Sequence, residues 1–345
     1  MIRRALSEWL RWLADAGHGL AGYGQPFTPL DPFDQITKMG RGVNILGYDP
    51  IWNDFRQARL RARHFRLIRE GGFQTVRINL QAFQHMNSAN RLSAAWFRTL
   101  DWAVGNALAN DLQVILDEHD FETCGADPDA CRCKLLAFWD QVAEHYKKAP
   151  SSVIFELLNE PNAKLTPEAW NVLLKDALAI VRKSNPRRNV VIGPGSENDI
   201  NHLDQLELPA DDRNIIVTVH YYHPIEFTHQ GASWFPATTN LSGVTWGTDE
   251  EQRRVEEDFE RVQQWAKSQR RPVLLGEFGA YDQGDMDSRA RYTACVARTA
   301  ERLGWAWTYW QFDSNFVVWD MASDAWVQPI WKALVSERRC AAGPT

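Results

Sequence analysis

No uninterrupted apolar stretch in this 345-residue sequence runs longer than five residues, Ala177–Val181 being one, and a membrane-crossing helix needs ~20. Neither sign of charge prevails: 38 Lys+Arg stand against 44 Asp+Glu, net −6, spread along the chain, which leaves no basic footprint for nucleic acid. There is no G-x-x-x-x-G-K, no G-x-S-x-G and no H-E-x-x-H, so the usual signatures of phosphate loops, hydrolase elbows and zinc proteases are missing. The one literal G-x-G-x-x-G, at Gly17, Gly19 and Gly22, follows a helical pattern and opens no helix, so it is no dinucleotide fingerprint. Cysteine is scarce, at five. Cys124, Cys131 and Cys133 cluster without the close pair typical of zinc sites, which leaves a local disulfide such as Cys124–Cys131, a metal site and free thiols open. Glu8, Arg11 and Asp15 interrupt what would be the apolar core of a signal peptide; Leu6, Trp9, Leu10 and Leu13 fit an amphipathic helix instead. No linker or low-complexity tract divides the rest. The expected organisation is an N-terminal helix and lead-in over 1–38, then one domain over 39–340.

What the chain does have is regular alternation. Short aliphatic or β-branched runs recur at Gly42–Leu46, Thr75–Leu80, Gln113–Asp117, Ser152–Leu158, Asn189–Ile192, Ile215–His220, Pro272–Glu277 and Trp305–Trp310. Helical patterns lie between them at Asp54–Glu70, Ala94–Ala109, Lys134–Lys148, Pro167–Lys183, Ile200–Leu206, Asp249–Ser268 and Asp287–Leu303, with a closing one at Gln328–Glu337. Eight β-then-α units in one undivided domain predict an α/β fold, a single (β/α)8 TIM barrel with extended βα loops. An open doubly wound sheet is the alternative, without its glycine fingerprint.

In such a barrel the chemistry sits where strands end at their C-terminal edge. Those ends carry Arg77, His119, Asn159 with Glu160, His220 with Tyr222, Glu277, and Trp310. Glu160 and Glu277 are far apart in sequence, yet a barrel brings both to one mouth. Facing carboxylates are what glycosidic-bond cleavage requires, one protonated toward the leaving oxygen and the other ionised toward the anomeric carbon. Arg77 is a source of positive potential to keep one of them ionised. Asn159 suits a sugar hydroxyl. His220 and Tyr222 share strand parity and can bracket one carboxylate. Glu156 shares parity with Glu160 but lies deeper, where a hydrogen-bonded structural role is expected, and Asp117 and Glu118 are expected to support loops. No strand carries a His-x-His pair, so a metal-dependent hydrolase has little to stand on.

At these residues the sequence resembles glycoside hydrolase family 5, the retaining cellulase-type family of clan A. Leu157–Asn162 (LLNEPN) is similar to its Asn-Glu-Pro acid/base motif and Leu274–Gly279 (LLGEFG) to its nucleophile motif. Eight recurring active-site residues of the family find matches, in order, at Arg77, His119, Asn159, Glu160, His220, Tyr222, Glu277 and Trp310. The stretches FQTVRINLQAFQHM, FTHQGASW and YWQFDSNFVVWD also resemble bacterial members and extend the likeness to roughly Gly40–Leu334. The resemblance implies Glu160 as general acid/base and Glu277 as nucleophile, double displacement with retention, and no metal or organic cofactor. It implies an endo-β-1,4-glucanase (cellulase) acting on cellulose-like or mixed-linkage β-glucan; β-mannanase, xyloglucanase and β-1,3-glucan hydrolase are the alternatives within the family. From another class, a non-catalytic carbohydrate-binding barrel has the intact carboxylate pair against it. Asp120 stands where many members carry a second His, Asn162 follows the Asn-Glu-Pro, and the Cys-rich loop and N-terminal helix are not family hallmarks.

Sixteen Trp residues are the remaining compositional signal. Trp9, Trp12, Trp96, Trp102, Trp139, Trp170, Trp265 and Trp331 fall on helical patterns and Trp305 and Trp307 on the outward face of a strand, where packing explains them. Trp310 faces the barrel mouth, and Trp52, Trp234, Trp246, Trp319 and Trp326 sit on loops after strands. Of these, Trp52, Trp234 and Trp319 are the candidates for stacking on sugar rings. The substrate class leads to an expectation of a secreted or periplasmic monomer.

Overall fold

The structure, a computed structural model, describes residues 27–336. The expected helix around Leu6–Leu13, with Trp9 and Trp12, lies outside them. Eight parallel strands, β1 (Arg41–Ile45), β2 (Thr75–Leu80), β3 (Gln113–Glu118), β4 (Val153–Glu156), β5 (Val190–Ile192), β6 (Ile215–Tyr221), β7 (Val273–Phe278) and β8 (Ala306–Tyr309), close into a barrel in chain order. Closure is direct, with Gly42 of β1 opposite Thr308 of β8. The helices are α1 (Pro32–Met39), α2 (Ala62–Glu70), α3 (Ala94–Ala109), α4 (Phe121–Ala126), α5 (Pro128–His145), α6 (Pro167–Ser184), α7 (Ile225–Thr228), α8 (Asp249–Gln269), α9 (Met286–Arg302) and α10 (Gln328–Val335). A small hairpin, β9 (Trp319–Asp320) with β10 (Ala325–Trp326), follows β8. Among the described residues no helix is long and apolar enough to cross a membrane.

Every expected strand is present, with ends displaced by two residues at most. Three helical segments differ from the expected pattern. Asp54–Glu70 is broken because the Asp49 carboxylate accepts the backbone N–H of Arg59 (3.2 Å) and Leu60 (3.0 Å), pulling the chain out of helix before α2 begins. Lys134–Lys148 starts earlier, as α5, because Pro128 takes the first helical position and Asp127 caps the turn by accepting from Ala130 N–H at 3.0 Å. The Cys-rich segment is therefore helical, and a Cys124–Cys131 disulfide ties α4 to α5, with Cys133 and Cys295 outside it. Between β5 and β6 the helical pattern resolves as a 3-10 turn, Ile200–Gln205.

The core has two parts. Ile115, Ile154, Val191, Ile216, Leu274 and Ala306 form an inner apolar layer, and Ile36 and Met39 of α1 pack into it, so the end of the lead-in is a plug of the barrel floor. The larger part lies between strands and helices, where Trp139, Trp170 and Trp307 are fully buried. Trp139 and Trp170 each donate their indole N–H to a buried carbonyl, Leu157 O and Gly193 O, both at 2.9 Å. Arg188 is buried, and among the described residues it has no carboxylate partner. Its guanidinium donates to Oδ1 of Asn185 and to the carbonyls of Tyr146, Ala149, Pro150 and Val153 at 2.7–3.0 Å, tying α5 to the start of β4. Arg188→Met leaves four carbonyls without that donor, and the expected loss is about 3–5 kcal/mol of unfolding free energy. Urea denaturation measures it, and a loss below ~1 kcal/mol would show that water replaces the side chain.

Candidate active site

Above the apolar layer the barrel interior turns polar, and Arg77 organises it. This fully buried residue donates to both carboxylate oxygens of Glu156 (2.7 and 2.9 Å), to Oδ1 of Asn44 (2.9 Å), to Oδ1 of Asn159 (2.8 Å) and to Oε1 of Glu277 (2.7 Å). Asp117 adds a third negative neighbour at 3.1 Å. Burial alone lowers the pKa of a guanidinium, but Asp117, Glu156 and Glu277 outweigh it and hold Arg77 charged. Glu156 has the buried hydrogen-bonded role its depth suggested. Asp117 does not support a loop: it faces the interior, paired with Arg77 and 2.6 Å from Nδ1 of His119. Glu118 does brace the loop after β3, accepting from Asp120 N–H at 3.1 Å.

Glu160 and Glu277 meet at the mouth above this cluster. A carboxylate oxygen of each and a ring nitrogen of His220 all lie within 4.8 Å of one another. Tyr222 O–H donates to Glu277 Oε2 at 2.9 Å, while Nδ1 of His220 sits 2.6 Å from Glu160 Oε1 and 3.7 Å from Glu277. The two residues thus divide between the carboxylates rather than bracketing one. Gly276 makes this possible: a Cβ there would fall 2.5 Å from Oγ1 of Thr218 and 2.9 Å from Nε2 of His220. Glu160 holds a left-handed backbone (φ 41°), with its carbonyl accepting from Nδ2 of Asn162 at 2.9 Å, so the Asn after the Asn-Glu-Pro braces that turn. His119 stacks flat on Trp310, ring centres 5.5 Å apart at 8°, and both line the cleft beside Asn159.

The two carboxyls are electrostatically unlike. Burial, and then Glu197, push Glu160 up to about 8. Burial, and Glu160 with it, also raises Glu277, but His220, Arg77 and His119 oppose this, and two donors grip Glu277 in its ionised form. The first proton lost from the pair therefore leaves Glu277. Burial lowers His119 and His220 to about 4, so both rings are neutral above pH 5.

These shifts bear on stability. The raised carboxyls Asp117 (about 7), Glu160 (about 8) and Glu118 (well above the ordinary range, mainly by burial) bind protons in the folded state that the unfolded chain releases near pH 4. Their contribution is complete at low pH and is lost as pH rises through the folded values. His64, His119, His220 and His229, all lowered to about 4 chiefly by burial, act in the opposite sense only below about pH 6.5. Above pH 7 these four histidines no longer oppose the carboxyls, so Tm is expected to fall between pH 7 and 9, less steeply in Glu160→Gln. A Tm that rises across that window contradicts the assignment.

The mouth opens into a cleft of about 1520 Å³ whose lining includes Tyr48, Glu122, Glu197, Asp199 and Trp234. Among the Trp candidates, Trp310 and the half-exposed Trp234 line it. Trp319 does not: it is buried, stacked on Phe312 at 5.9 Å and edge-on to Trp326 at 5.0 Å. Trp52 lines a separate pocket of about 350 Å³, stacks on Trp96, and donates its N–H to Leu46 O at 3.0 Å, bracing the loop after β1. That loop carries Tyr48, 56% exposed on the cleft wall, which sequence reading missed. Its only sequence signal was an aromatic residue just past a strand end. Glu197 was missed too, on a loop with no motif.

Two unlike carboxylates facing each other at the mouth of a (β/α)8 barrel form the arrangement that glycosidic-bond cleavage requires. The chain belongs to glycosyl hydrolase family 5: the family's Cellulase model matches residues 36–316. Endoglucanase H of Acetivibrio thermocellus is 28% identical over 288 residues, 81% of this chain and 30% of that protein. Endoglucanase A of Clostridium longisporum is 26% identical over 268 residues, 72% of this chain and 50% of that protein. The chain thus spans half or less of the length of these relatives. The crystal structure of endoglucanase Cel5A from Thermotoga maritima superposes with a TM-score of 0.84 at 36% identity, covering 89% of this chain and 100% of that one. Cel5A has also been solved in complex with mannotriose and with cellobiose.

Proposed function

We propose that the protein is a retaining endo-β-1,4-glucanase in which Glu277 is the nucleophile and Glu160 the general acid/base. The observation that carries this reading is the pair itself: carboxylate oxygens within 4.8 Å, one group held ionised by Arg77 and Tyr222, the other held protonated by burial. Inverting enzymes keep their carboxyls ~6.5–9.5 Å apart to admit water between them, retaining ones ~5–5.5 Å. With the −1 sugar between His119–Trp310 and Glu277, the Glu277 oxygen attacks the anomeric carbon. Glu160 gives its proton to the departing oxygen, and once ionised takes a proton from the water that releases the glycosyl-enzyme. No step needs a cofactor, and every residue named comes from one chain, in keeping with a monomer. The open cleft suits attack within a polymer. The Cys124–Cys131 disulfide suits an oxidising compartment, as does a polysaccharide substrate too large to enter the cell, which supports a secreted or periplasmic location.

A second reading, β-mannan hydrolysis, is favoured by one observation, that the similar Cel5A binds mannotriose as well as cellobiose. Hydrolysis of carboxymethyl-cellulose, barley glucan, xyloglucan, mannan and laminarin separates the two. The expected result is fastest cleavage of barley glucan, with NMR showing the β-anomer as first product. Dominant mannan cleavage overturns the glucanase reading, and α-anomer first overturns retention.

A further inference from the structure

The loop after β5 holds three consecutive non-glycine residues in left-handed backbone, Ser196 (φ 57°), Glu197 (φ 64°) and Asn198 (φ 57°). Each costs on the order of 1–2 kcal/mol, so such a run persists only where its surroundings dictate it. Here they do. Glu197 N–H donates to Pro161 O at 3.1 Å, joining the turn to the residue after Glu160. Asn198 is buried, and its carbonyl accepts from His220 N–H at 2.9 Å, joining the turn to the residue that touches Glu160. Gly193 leaves the Asn198 side chain its space, since a Cβ there would fall 2.1 Å from Oδ1. The strained turn is thus clamped on both sides to the immediate supports of Glu160, and the side chain it presents to the cleft is Glu197.

The charged and titratable groups around Glu160 are Tyr48 from the loop after β1, Arg77 from β2, Asp117 from β3, His220 from β6 and Tyr222 just after it, Glu277 from β7, and Glu197 from this turn. Asp117 and Glu277 are both paired with Arg77, which offsets their field. Among the described residues no cation pairs with Glu197. Of the charges acting on Glu160, that of Glu197 is the largest contribution, and it favours the neutral carboxyl.

We propose that Glu197 is a positioning residue for the acid step: its unpaired carboxylate, fixed by the Ser196–Asn198 turn, supplies the negative field that keeps Glu160 protonated until the leaving oxygen takes its proton. The proposal rests on Glu160 being the general acid. A like charge on the turn clamped beside Glu160 raises the energy of ionised Glu160 and leaves Glu277 deprotonated behind Arg77, so one exposed residue widens the separation that the reaction requires. Because Glu197 is exposed, its field is open to screening by salt.

The test is the pH dependence of kcat/KM on soluble barley glucan for the wild type, Glu197→Gln and Glu197→Asp, paired with a carbon-13 NMR titration of the Glu160 carboxyl. In Glu197→Gln the alkaline limb is expected to move to lower pH by about half to one unit with the acid limb in place, and the Glu160 carboxyl to titrate lower by the same amount. Glu197→Asp restores most of the wild-type profile. Raising ionic strength to about 1 M, where the Debye length is ~3 Å, moves the wild-type limb toward that of Glu197→Gln and leaves the variant unmoved. An unmoved Glu160 titration overturns the proposal, as does a uniform scaling of activity at every pH, which indicates a substrate contact or a structural role. A lowered Glu160 titration with an unmoved alkaline limb instead overturns the assignment of Glu160 as the acid.

Discussion

Glu277→Ala lowers kcat/KM on β-glucan by on the order of 10⁴- to 10⁶-fold while the barrel still folds. The side chain is almost fully buried, and its two oxygens are claimed by Arg77 and Tyr222, an arrangement that serves an anion and little else. Without the carboxylate there is no glycosyl-enzyme to form, and the covalent route closes altogether. The space it leaves beside Arg77 suits a small anion, so added azide restores turnover and yields the α-glycosyl azide, the inverted product. Glu160→Ala behaves differently. Its loss is large on polysaccharide, where the departing alkoxide needs a proton, and small on an aryl cellobioside whose leaving group needs none. Near-normal turnover in Glu277→Ala, or equal losses on both substrates in Glu160→Ala, would undo the assignment of roles.

Arg77→Met is expected to lower stability by about 3–5 kcal/mol and to abolish measurable activity. Among the described residues Arg77 is the one cation paired with Asp117, Glu156 and Glu277, all buried inside the barrel with it. Removing it leaves three carboxyls that stay in place only by holding protons, so their folded-state pKa values rise further above those of the unfolded chain. The sign follows: stability is kept at low pH and lost as pH rises, so the deficit against wild type grows from pH 5 to pH 8. Thermal unfolding across that range measures it. A deficit under ~1 kcal/mol, or one constant with pH, would show that Arg77 does not neutralise the cluster.

Much of this was legible from the chain. The eight strands and helix α3 were readable because aliphatic runs and helical periodicity are local, and a barrel of this kind repeats one unit. Glu160, Glu277, His119, His220 and Tyr222 were readable because each lies at or shortly past the end of a strand, whereas Arg77, expected at a strand end, is the third residue of β2. What failed to show had non-local causes. The helix expected at Asp54–Glu70 is interrupted by Asp49, several residues upstream, capturing N–H groups of Arg59 and Leu60. Trp319 reads as a loop aromatic, and only packing on Phe312 and Trp326 withdraws it from solvent. Trp52 reads as a sugar platform, yet its N–H is committed to Leu46 O. Asp117 reads as a loop residue until the closed barrel sets it against Arg77.

The sequence by itself determined the fold, the family and the two carboxylates, because hydrophobic periodicity and strand-end chemistry are properties of short segments. Tertiary structure alone decided the burial and the neighbouring charges that make the two carboxyls unlike, which tryptophans meet the cleft, and that the Ser196–Asn198 turn brings Glu197 to it. Those outcomes depend on burial and on charges brought together from six strands and the turns that follow them. Distance through space, which no local pattern encodes, sets the field at each group.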